Sequence, residues 1–345
     1  MKLGIIGLPQ AGKKTVFEAL TGSEVDPGGR AEGRIGTITV PDERVDLLSR
    51  MYNPRKTIHA QVEYFLPGTG GGAKEKKSSD QGVWTAVRDC DALIHVVRNF
   101  SIYGQEPPEP AEDFRRLDQE LIFMDLVSVE KRLERLELDG KRGKKPDPEE
   151  LGLLMQCKET LEAERPLRHL PEIARAPQLR GFAFLSGKPT LVLMNNADED
   201  DILPDTGNVL TDESCMVLRG KLEQELSRMG EDEAREFLAE FGVSAAAADR
   251  VIRASYDLLG LISFFTVGED EVRAWTIQRG TPAVKAAGVI HSDFEKGFIR
   301  AEVVGYADLM EAGSHAEARK RGTVRLEGKT YEVRDGDIIN FRFNV

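Results

Sequence analysis

Short apolar runs alternate with stretches of helical composition over most of the chain, which is the pattern of a sheet covered by helices. The runs that predict strands in the first part of the chain span residues 1–6, 35–40, 60–66, 92–97 and 189–194. The stretches that predict helices between them include residues 16–20, 44–51 and 84–91. Because buried strands that alternate with helices are typical of parallel sheets, we expect an α/β fold with a doubly wound, mostly parallel sheet.

A long helical segment interrupts this alternation between residues 107 and 170. Apolar residues recur there at intervals of four and three, the spacing of a coiled-coil seam, at Ile122, Leu126, Val129, Leu133 and Leu136. A basic turn over residues 140–148 precedes a second helical stretch, which carries Leu154, Cys157 and Leu161 at helical spacing. The pattern predicts an inserted antiparallel coiled-coil hairpin, and the alternative is a pair of ordinary surface helices.

The pattern changes again beyond Gly260, where short strands are separated by small helices and turn residues. Strands are predicted over residues 262–267, 272–277, 298–304, 323–326, 331–333 and 338–343. They indicate a second, compact α+β domain of roughly 80 residues, which is within the usual size range of domains. The predicted division is residues 1–106 with 171–261 for the first domain, 107–170 for the inserted hairpin and 262–345 for the C-terminal domain.

The first predicted strand leads into a glycine-containing loop that opens a helix, which is the context of a phosphate-binding P-loop. The loop and the helix start consist of Gly7, Leu8, Pro9, Gln10, Ala11, Gly12, Lys13, Lys14 and Thr15. Glycines let backbone N–H groups surround a phosphate, the helix N-terminus adds partial positive charge, and Lys13 supplies a cation for the β- and γ-phosphate oxygens. The alternative interpretation is a strand-to-helix turn without a ligand.

One position of the loop departs from the P-loop pattern. The residue after Lys13 is expected to be Ser or Thr, whose hydroxyl binds Mg²⁺, and this chain has Lys14 there. Thr15 lies about 100° further round the helix, so its hydroxyl does not simply replace the missing one.

Composition limits the classes of function that the chain can have. Its 345 residues include 31% charged residues and carry a net charge of −12, which indicates an acidic protein and argues against general affinity for nucleic acid or membranes, while leaving room for a local basic face. Neither DNA nor a membrane is expected as a partner. Cys90, Cys157 and Cys215 are isolated in sequence, so neither a zinc site nor a disulfide framework is expected. Because the chain also has no apolar run of about 18 residues, we expect a cytoplasmic protein.

Several further motifs, together with the loop, resemble one known family. They are Val40-Pro41-Asp42, His95-Val96-Val97-Arg98 and three C-terminal stretches over residues 271–276, 291–303 and 335–345. In these residues the chain is similar to the YchF/Obg-like ATPases, a family of P-loop NTPases related to translation factors, as a divergent member. The resemblance covers almost the whole chain. It implies a G-type nucleotide-binding domain, a coiled-coil arm, a C-terminal β-grasp (TGS) domain, ATP or GTP as the ligand, and association with the ribosome.

The departures from the family pattern fall on the positions that would bind Mg²⁺. Lys14 stands where the family has Ser, and Phe65 stands where the family's Asp-x-x-Gly motif has Asp. The Thr of the family's first switch falls near Arg30, in a stretch without Thr. Glu63 lies about 6.8 Å back along the same strand and reaches such a site only through water. Because Mg²⁺ prefers oxygen ligands, it is a doubtful cofactor for this chain.

Base recognition has two possible alignments. In GTPases the carboxylate of an Asn-Lys-x-Asp motif accepts the guanine protons, whereas the Obg-like ATPases carry Asn-x-x-Glu. Asn195 and Asp198 match the first ending, and Asn196 and Glu199 match the second. A solvated acidic loop without a base contact is a third interpretation. The candidate nucleotide-binding residues are those of the loop from Gly7 to Thr15 together with Asn195, Asp198, Met216, Val217 and Leu218.

Other polar groups have weaker claims to function, and no catalytic residue is proposed among them. His95 lies in an apolar strand and is expected to be a core histidine. His291, with Asp293 and Glu295, has the composition of a metal site, but a turn that caps a helix is the favoured interpretation. The basic residues of the hairpin tip are expected to be solvated, or to meet a phosphate backbone if RNA is a partner: Lys141, Arg142, Lys144 and Lys145.

These observations leave three functional hypotheses. The first is a nucleotide-binding regulator of translation with weak or absent hydrolysis. The second is an active Mg²⁺-dependent ATPase or GTPase that uses unusual ligands, and the third is a structural adaptor whose pocket is empty. Because the metal neutralises charge on the β- and γ-phosphate oxygens during phosphoryl transfer, the loss of its ligands favours the first hypothesis.

Overall fold

The computed structural model of the chain describes residues 1–24, 33–68, 76–240 and 247–344. The chain divides into two compact units. The first comprises Met1–Thr37 and Glu63–Val251, and the second comprises Ile38–Val62 and Ile252–Val345.

Twelve strands and thirteen α-helices are defined within the described residues. The strands are β1 (Lys2–Ile6), β2 (Arg34–Thr39), β3 (Lys56–Ile58), β4 (Gln61–Leu66), β5 (Ala92–Asn99), β6 (Thr190–Asn196), β7 (Ser214–Leu218), β8 (Leu261–Val267), β9 (Glu271–Gln278), β10 (Phe298–Gly305), β11 (Arg325–Glu327) and β12 (Asp337–Phe343). The helices are α1 (Lys13–Thr21), α2 (Glu43–Tyr52), α3 (Lys76–Val87), α4 (Pro110–Lys141), α5 (Pro148–Glu162), α6 (Pro171–Ala174), α7 (Gly220–Leu226), α8 (Glu231–Glu240), α9 (Ala247–Leu258), α10 (Ala283–Ile290), α11 (Ser292–Lys296), α12 (Tyr306–Ala312) and α13 (His315–Lys320). Two short 3₁₀ helices span Leu167–His169 and Pro177–Phe182.

The first unit is built on a six-stranded sheet with the order β2-β4-β1-β5-β6-β7. Its central strands pair in parallel: β1 lies between β4 and β5, and β6 lies between β5 and β7. β6 is buried along its whole length, as expected for a strand of a parallel sheet that is covered on both faces. The predicted doubly wound, mostly parallel sheet is therefore confirmed.

Helices α4 and α5 form a hairpin in the chain between β5 and β6. The residues of the predicted seam pack into one cluster, which contains Ile122, Val129, Leu136, Leu154, Cys157 and Leu161, with Leu126 and Leu133 partly buried against it. Ion pairs from Arg132 to Glu150 (2.7 Å) and from Lys158 to Glu130 (3.1 Å) show that the two helices run antiparallel. Throughout the described ranges, no helix combines the length and the apolar character that crossing a membrane requires.

A buried carboxylate fixes α4 to the segment that precedes β6. The Asp125 side chain is completely buried and accepts hydrogen bonds from the N–H groups of Leu185 (3.0 Å) and Ser186 (2.7 Å). The Ser186 hydroxyl donates a third bond (2.8 Å), and the Arg88 guanidinium lies 3.7 Å away. Burial raises the pKa of Asp125, whereas these donors favour its ionised form. Within the first unit, α4 is thus held to the segment before β6 by a polar contact with several donors.

The second unit contains the other six-stranded sheet, with the order β11-β10-β12-β8-β9-β3. Pairing is antiparallel between β8 and β9 and on both sides of β10, and it is parallel between β12 and β8 and between β3 and β9. The core of this unit includes Phe264, Ile277, Ala286, Val303 and Ile339. The strand predicted over residues 331–333 is reduced to an isolated bridge between Pro282 and Glu332.

Candidate functional site

The phosphate loop lies between β1 and α1, and two of its glycines are required by its geometry. Gly7 approaches β5 so closely that a Cβ atom would lie 2.5 Å from the carbonyl oxygen of Val96. Gly12 has a left-handed backbone (φ 91°) and caps α1 without a side-chain hydrogen bond. The Gln10 side chain accepts a hydrogen bond from Gln105, in the segment after β5. The first turn of α1 therefore presents backbone N–H groups to which a phosphate can bind.

Lys13 lies within this loop. Its Nζ donates hydrogen bonds to the carbonyl oxygens of Gly7 (2.7 Å) and Leu8 (2.8 Å). Burial lowers the pKa of Lys13 from 10.5 to about 8. Because this ammonium group is desolvated and its hydrogen-bond acceptors are neutral carbonyls, a phosphate anion beside it would stabilise its charge.

Asn195, near the end of β6, links the phosphate loop to the start of α7. Its Nδ2 donates to the carbonyl oxygen of Ala11 (2.9 Å), and its Oδ1 accepts from the N–H of Gly220 (3.0 Å). Both neighbours need glycine, because a Cβ on Gly12 would lie 2.1 Å from Asn195 Nδ2 and one on Gly220 would lie 2.5 Å from Asn195 Oδ1. Gly220 is not predicted from the sequence, and the signal that marks it is a glycine at the first position of a helix.

The two asparagines at the end of β6 have different partners. Asn196 accepts a hydrogen bond from the Asn99 amide (2.9 Å) and donates one to the carbonyl oxygen of Ile202 (2.8 Å). Asn195, in contrast, bonds to the phosphate loop at Ala11. The contact with the loop therefore favours the alignment of the base-recognition motif that begins at Asn195.

The remaining candidate residues follow β6 or belong to β7. Asp198 is half-buried, and its Oδ1 accepts a hydrogen bond from the N–H of Leu222 in the first turn of α7 (3.1 Å), whereas Glu199 is exposed. The last three candidates belong to β7, which pairs with β6: Met216 and Val217 are half-buried, and Leu218 is fully buried. Leu218 is therefore closed to a ligand in this conformation, whereas Met216 and Val217 are partly accessible.

The described residues do not fit a magnesium site. The ammonium group of Lys14 is half-exposed and lies 3.8 Å from the Glu18 carboxylate. Phe65 is buried in an apolar cluster with Ile6 and other side chains. The predicted position near Arg30 lies outside the described residues. Among those described, no group of three His, Cys, Asp or Glu side chains is close enough together to hold a metal ion, and Mg²⁺ requires several oxygen ligands.

Two histidines from the sequence analysis have structural roles. His95 is buried and stacks on Phe114, with ring centroids 5.0 Å apart, and burial lowers its pKa to about 3, so that it is neutral. His291 accepts a hydrogen bond at Nδ1 from the N–H of Asp293 (3.2 Å) and caps α11, whereas Glu295 pairs with Lys285 (2.5 Å). The predicted core histidine and the predicted capping turn are both confirmed.

The tip of the helical hairpin is basic and solvated. All four of its basic residues are exposed: Lys141, Arg142, Lys144 and Lys145. Lys141 pairs with Glu137 of the same helix (2.7 Å). The tip therefore places exposed positive charge on an acidic protein.

Comparisons with known proteins agree with these features. Residues 261–344 match the YchF-GTPase_C family, described as "Protein of unknown function (DUF933)". The chain is 37% identical to the ribosome-binding ATPase YchF of Bacillus subtilis, with 99% of each chain covered, and 36% identical to that of Escherichia coli O157:H7, with 100% of this chain and 99% of the relative covered. The solved structure of the Schizosaccharomyces pombe YchF GTPase matches with a TM-score of 0.84 and 28% identity, over 99% of this chain and 97% of that one. The chain therefore belongs to the YchF family.

Proposed function

We propose that this chain binds a purine nucleoside triphosphate and regulates translation through association with the ribosome, with weak or absent hydrolysis. The observation that carries the proposal is the phosphate loop itself, with Lys13 held inside it and Asn195 joined to it. The neighbouring positions offer Mg²⁺ an ammonium group and a phenyl ring, at Lys14 and Phe65. Phosphoryl transfer depends on neutralising charge at the β- and γ-phosphate oxygens, so a site that lacks the metal binds better than it hydrolyses.

The proposal that the chain associates with the ribosome rests on the descriptions of its relatives. Those from Bacillus subtilis and Escherichia coli are described as ribosome-binding ATPases, and they match this chain over its full length. The basic tip of the hairpin is the surface that we infer to meet the ribosome, because Lys and Arg side chains bind phosphate oxygens of RNA without regard to sequence. A protein with this partner would act in the cytoplasm.

The choice between ATP and GTP is open to a direct experiment. The bacterial relatives are described as ATPases and the Schizosaccharomyces pombe protein as a GTPase. In this chain the alignment that begins at Asn195 places Asp198 at the position of the carboxylate that reads guanine. We therefore include both nucleotides in the test.

The test is a titration of the purified chain with fluorescent ATP and GTP analogues, with and without Mg²⁺. We expect saturable binding of at least one of them, an affinity that changes by less than about threefold when EDTA is added, and turnover near background. Lys13→Ala should lose binding, whereas Lys131→Ala, which changes an exposed lysine of α4, should not. Binding of neither nucleotide would contradict the proposal, and rapid Mg²⁺-dependent hydrolysis would contradict its statement on turnover.

A further inference from the structure

A cavity of about 330 Å³ lies beside the phosphate loop, in the first unit. The loop contributes Gly7, Leu8 and Lys13 to its walls, α3 contributes Trp84, and α4 contributes Arg116 and Glu120. The first helix of the inserted hairpin therefore brings a guanidinium group to the same cavity as the P-loop lysine.

The order of strands tells which part of a nucleotide this cavity would receive. Asn195 lies near the end of β6 and Asp198 follows it, on one side of β1, whereas Pro67, which also lines the cavity, follows β4 on the other side of β1. With the base at β6 and the phosphates at the loop after β1, the phosphate chain continues towards β4. The cavity is thus on the side of the terminal phosphate.

Arg116 is available to a ligand. Its side chain is exposed, and no hydrogen bond or ion pair within the described ranges engages it. The preceding Arg115 is also exposed, but it forms an ion pair with Glu112 and does not line the cavity. The two arginines are neighbours on α4, but only Arg116 lines the cavity, and only Arg115 forms an ion pair among the described residues.

We propose that Arg116 binds the terminal phosphate of the nucleoside triphosphate and supplies positive charge at the side of the site that lacks ligands for Mg²⁺. This inference rests on the proposed function. A guanidinium stays charged at every pH of interest and binds phosphate oxygens through two parallel N–H groups, so it suits this role better than a second lysine would.

The residues around Arg116 determine how strongly its guanidinium attracts a phosphate. Leu8, Pro67 and Trp84 give the cavity apolar walls, which lower the local dielectric constant and strengthen the attraction between a guanidinium and a phosphate. Glu120 lies one helical turn after Arg116 in the same cavity and has an interaction of its own.

The test compares the affinities for nucleoside triphosphate and diphosphate in the full-length chain, by calorimetry without Mg²⁺. Arg116→Ala should weaken triphosphate binding by about tenfold to a hundredfold, because a charge-assisted hydrogen bond is lost, and should change diphosphate binding by less than about twofold. Arg116→Lys should recover part of the loss. Arg115→Ala is the matched control, and it should change neither affinity.

The outcomes separate this inference from the function on which it rests. If the parent chain binds both nucleotides and Arg116→Ala lowers both affinities equally, or neither, Arg116 does not contact the terminal phosphate, while the proposed function stands. If the parent chain binds no nucleotide, both proposals are wrong. Because Arg116 is exposed, its variants should unfold at the parent's urea midpoint, and that measurement excludes a loss of binding through misfolding.

Discussion

Raising the pH above 8 should weaken nucleotide binding, because Lys13 then loses its proton. Burial holds the pKa of this lysine at about 8 in the free protein, and a phosphate beside the ammonium group would raise it again. Above pH 8 the free protein must therefore take up a proton in order to bind. We expect the affinity for ATP to fall about fivefold between pH 8 and pH 9, and to approach a tenfold fall per pH unit above that, as linkage requires for one proton.

The same pKa predicts how the stability of the free protein depends on pH. The folded-state pKa of Lys13 lies below its ordinary value of 10.5, so the unfolded chain binds more protons than the folded chain between about pH 8 and 10.5. Below pH 8 Lys13 therefore lowers the free energy of unfolding. This destabilisation decreases as the pH rises through the window from 8 to 10.5. Because the side chain is partly exposed, we expect a gain on the order of 1–3 kcal/mol.

Two variants isolate this lysine from the other titrating groups. Lys13→Arg keeps its charge at these pH values, so its affinity for ATP, if the larger group fits, should be nearly independent of pH between 8 and 9. Lys13→Met cannot titrate, and the difference in urea unfolding free energy between the parent and this variant should change in favour of the parent as the pH rises from 8 to 10.5. A parent affinity that stays constant between pH 8 and 9, with calorimetry showing no proton uptake, would refute the reasoning.

Three further changes test a contact of the site, the buried carboxylate of α4 and the tip of the hairpin. Asn195→Ala should lower the free energy of unfolding by about 2–5 kcal/mol in urea titrations, because it leaves a buried carbonyl and a buried N–H group unpaired; a loss below 1 kcal/mol would contradict this. Asp125→Ala should cost about 3–5 kcal/mol, since two buried N–H groups lose their acceptor, and Asp125→Asn should recover part of it. Reversal of the four basic residues of the hairpin tip to Glu should weaken salt-sensitive cosedimentation with ribosomes, and parent-like sedimentation would exclude the tip as the contact.

The parts of the fold that could be predicted are those in which local pattern and burial agree. β6 and β8 are nearly continuous apolar runs, and both form where the runs occur. The edge strands β3 and β7 are not predicted, whereas the edge strands β2 and β11 are. β3 has only three residues, two of them exposed, and β7 begins with the exposed Ser214. β3 pairs with β9, a partner that is remote in sequence and that local pattern does not reveal.

In the helical hairpin, too, the features that could be predicted are those in which local pattern and burial agree. Its seam could be predicted because the four-and-three spacing of apolar residues places them on one face, and that face is buried in the structure. The anchor at Asp125 could not be predicted, since the groups that it accepts from lie 60 and 61 residues away. Helix α3 begins at Lys76, eight residues before the predicted start at Trp84. Its first turns contain Lys, Ser and Gly, which give no apolar periodicity.

The candidate site also contains residues that the sequence alone identifies and residues that only the structure connects. The second group bears on what the chain binds. The phosphate loop is contiguous, so its nine residues could be identified from their order alone. Asn195 bonds to a residue 184 positions away and to another 25 positions away, and a one-residue shift in alignment leaves the sequence unable to choose between Asn195 and Asn196. The hydrogen bond to Ala11 favours Asn195, which in turn favours Asp198 over the exposed Glu199 as the carboxylate near the base. Lys14 and Phe65 thus stand where oxygen ligands of the metal are expected, while Asn195 is joined to the phosphate loop, and this combination supports the proposal of nucleotide binding with weak or absent hydrolysis.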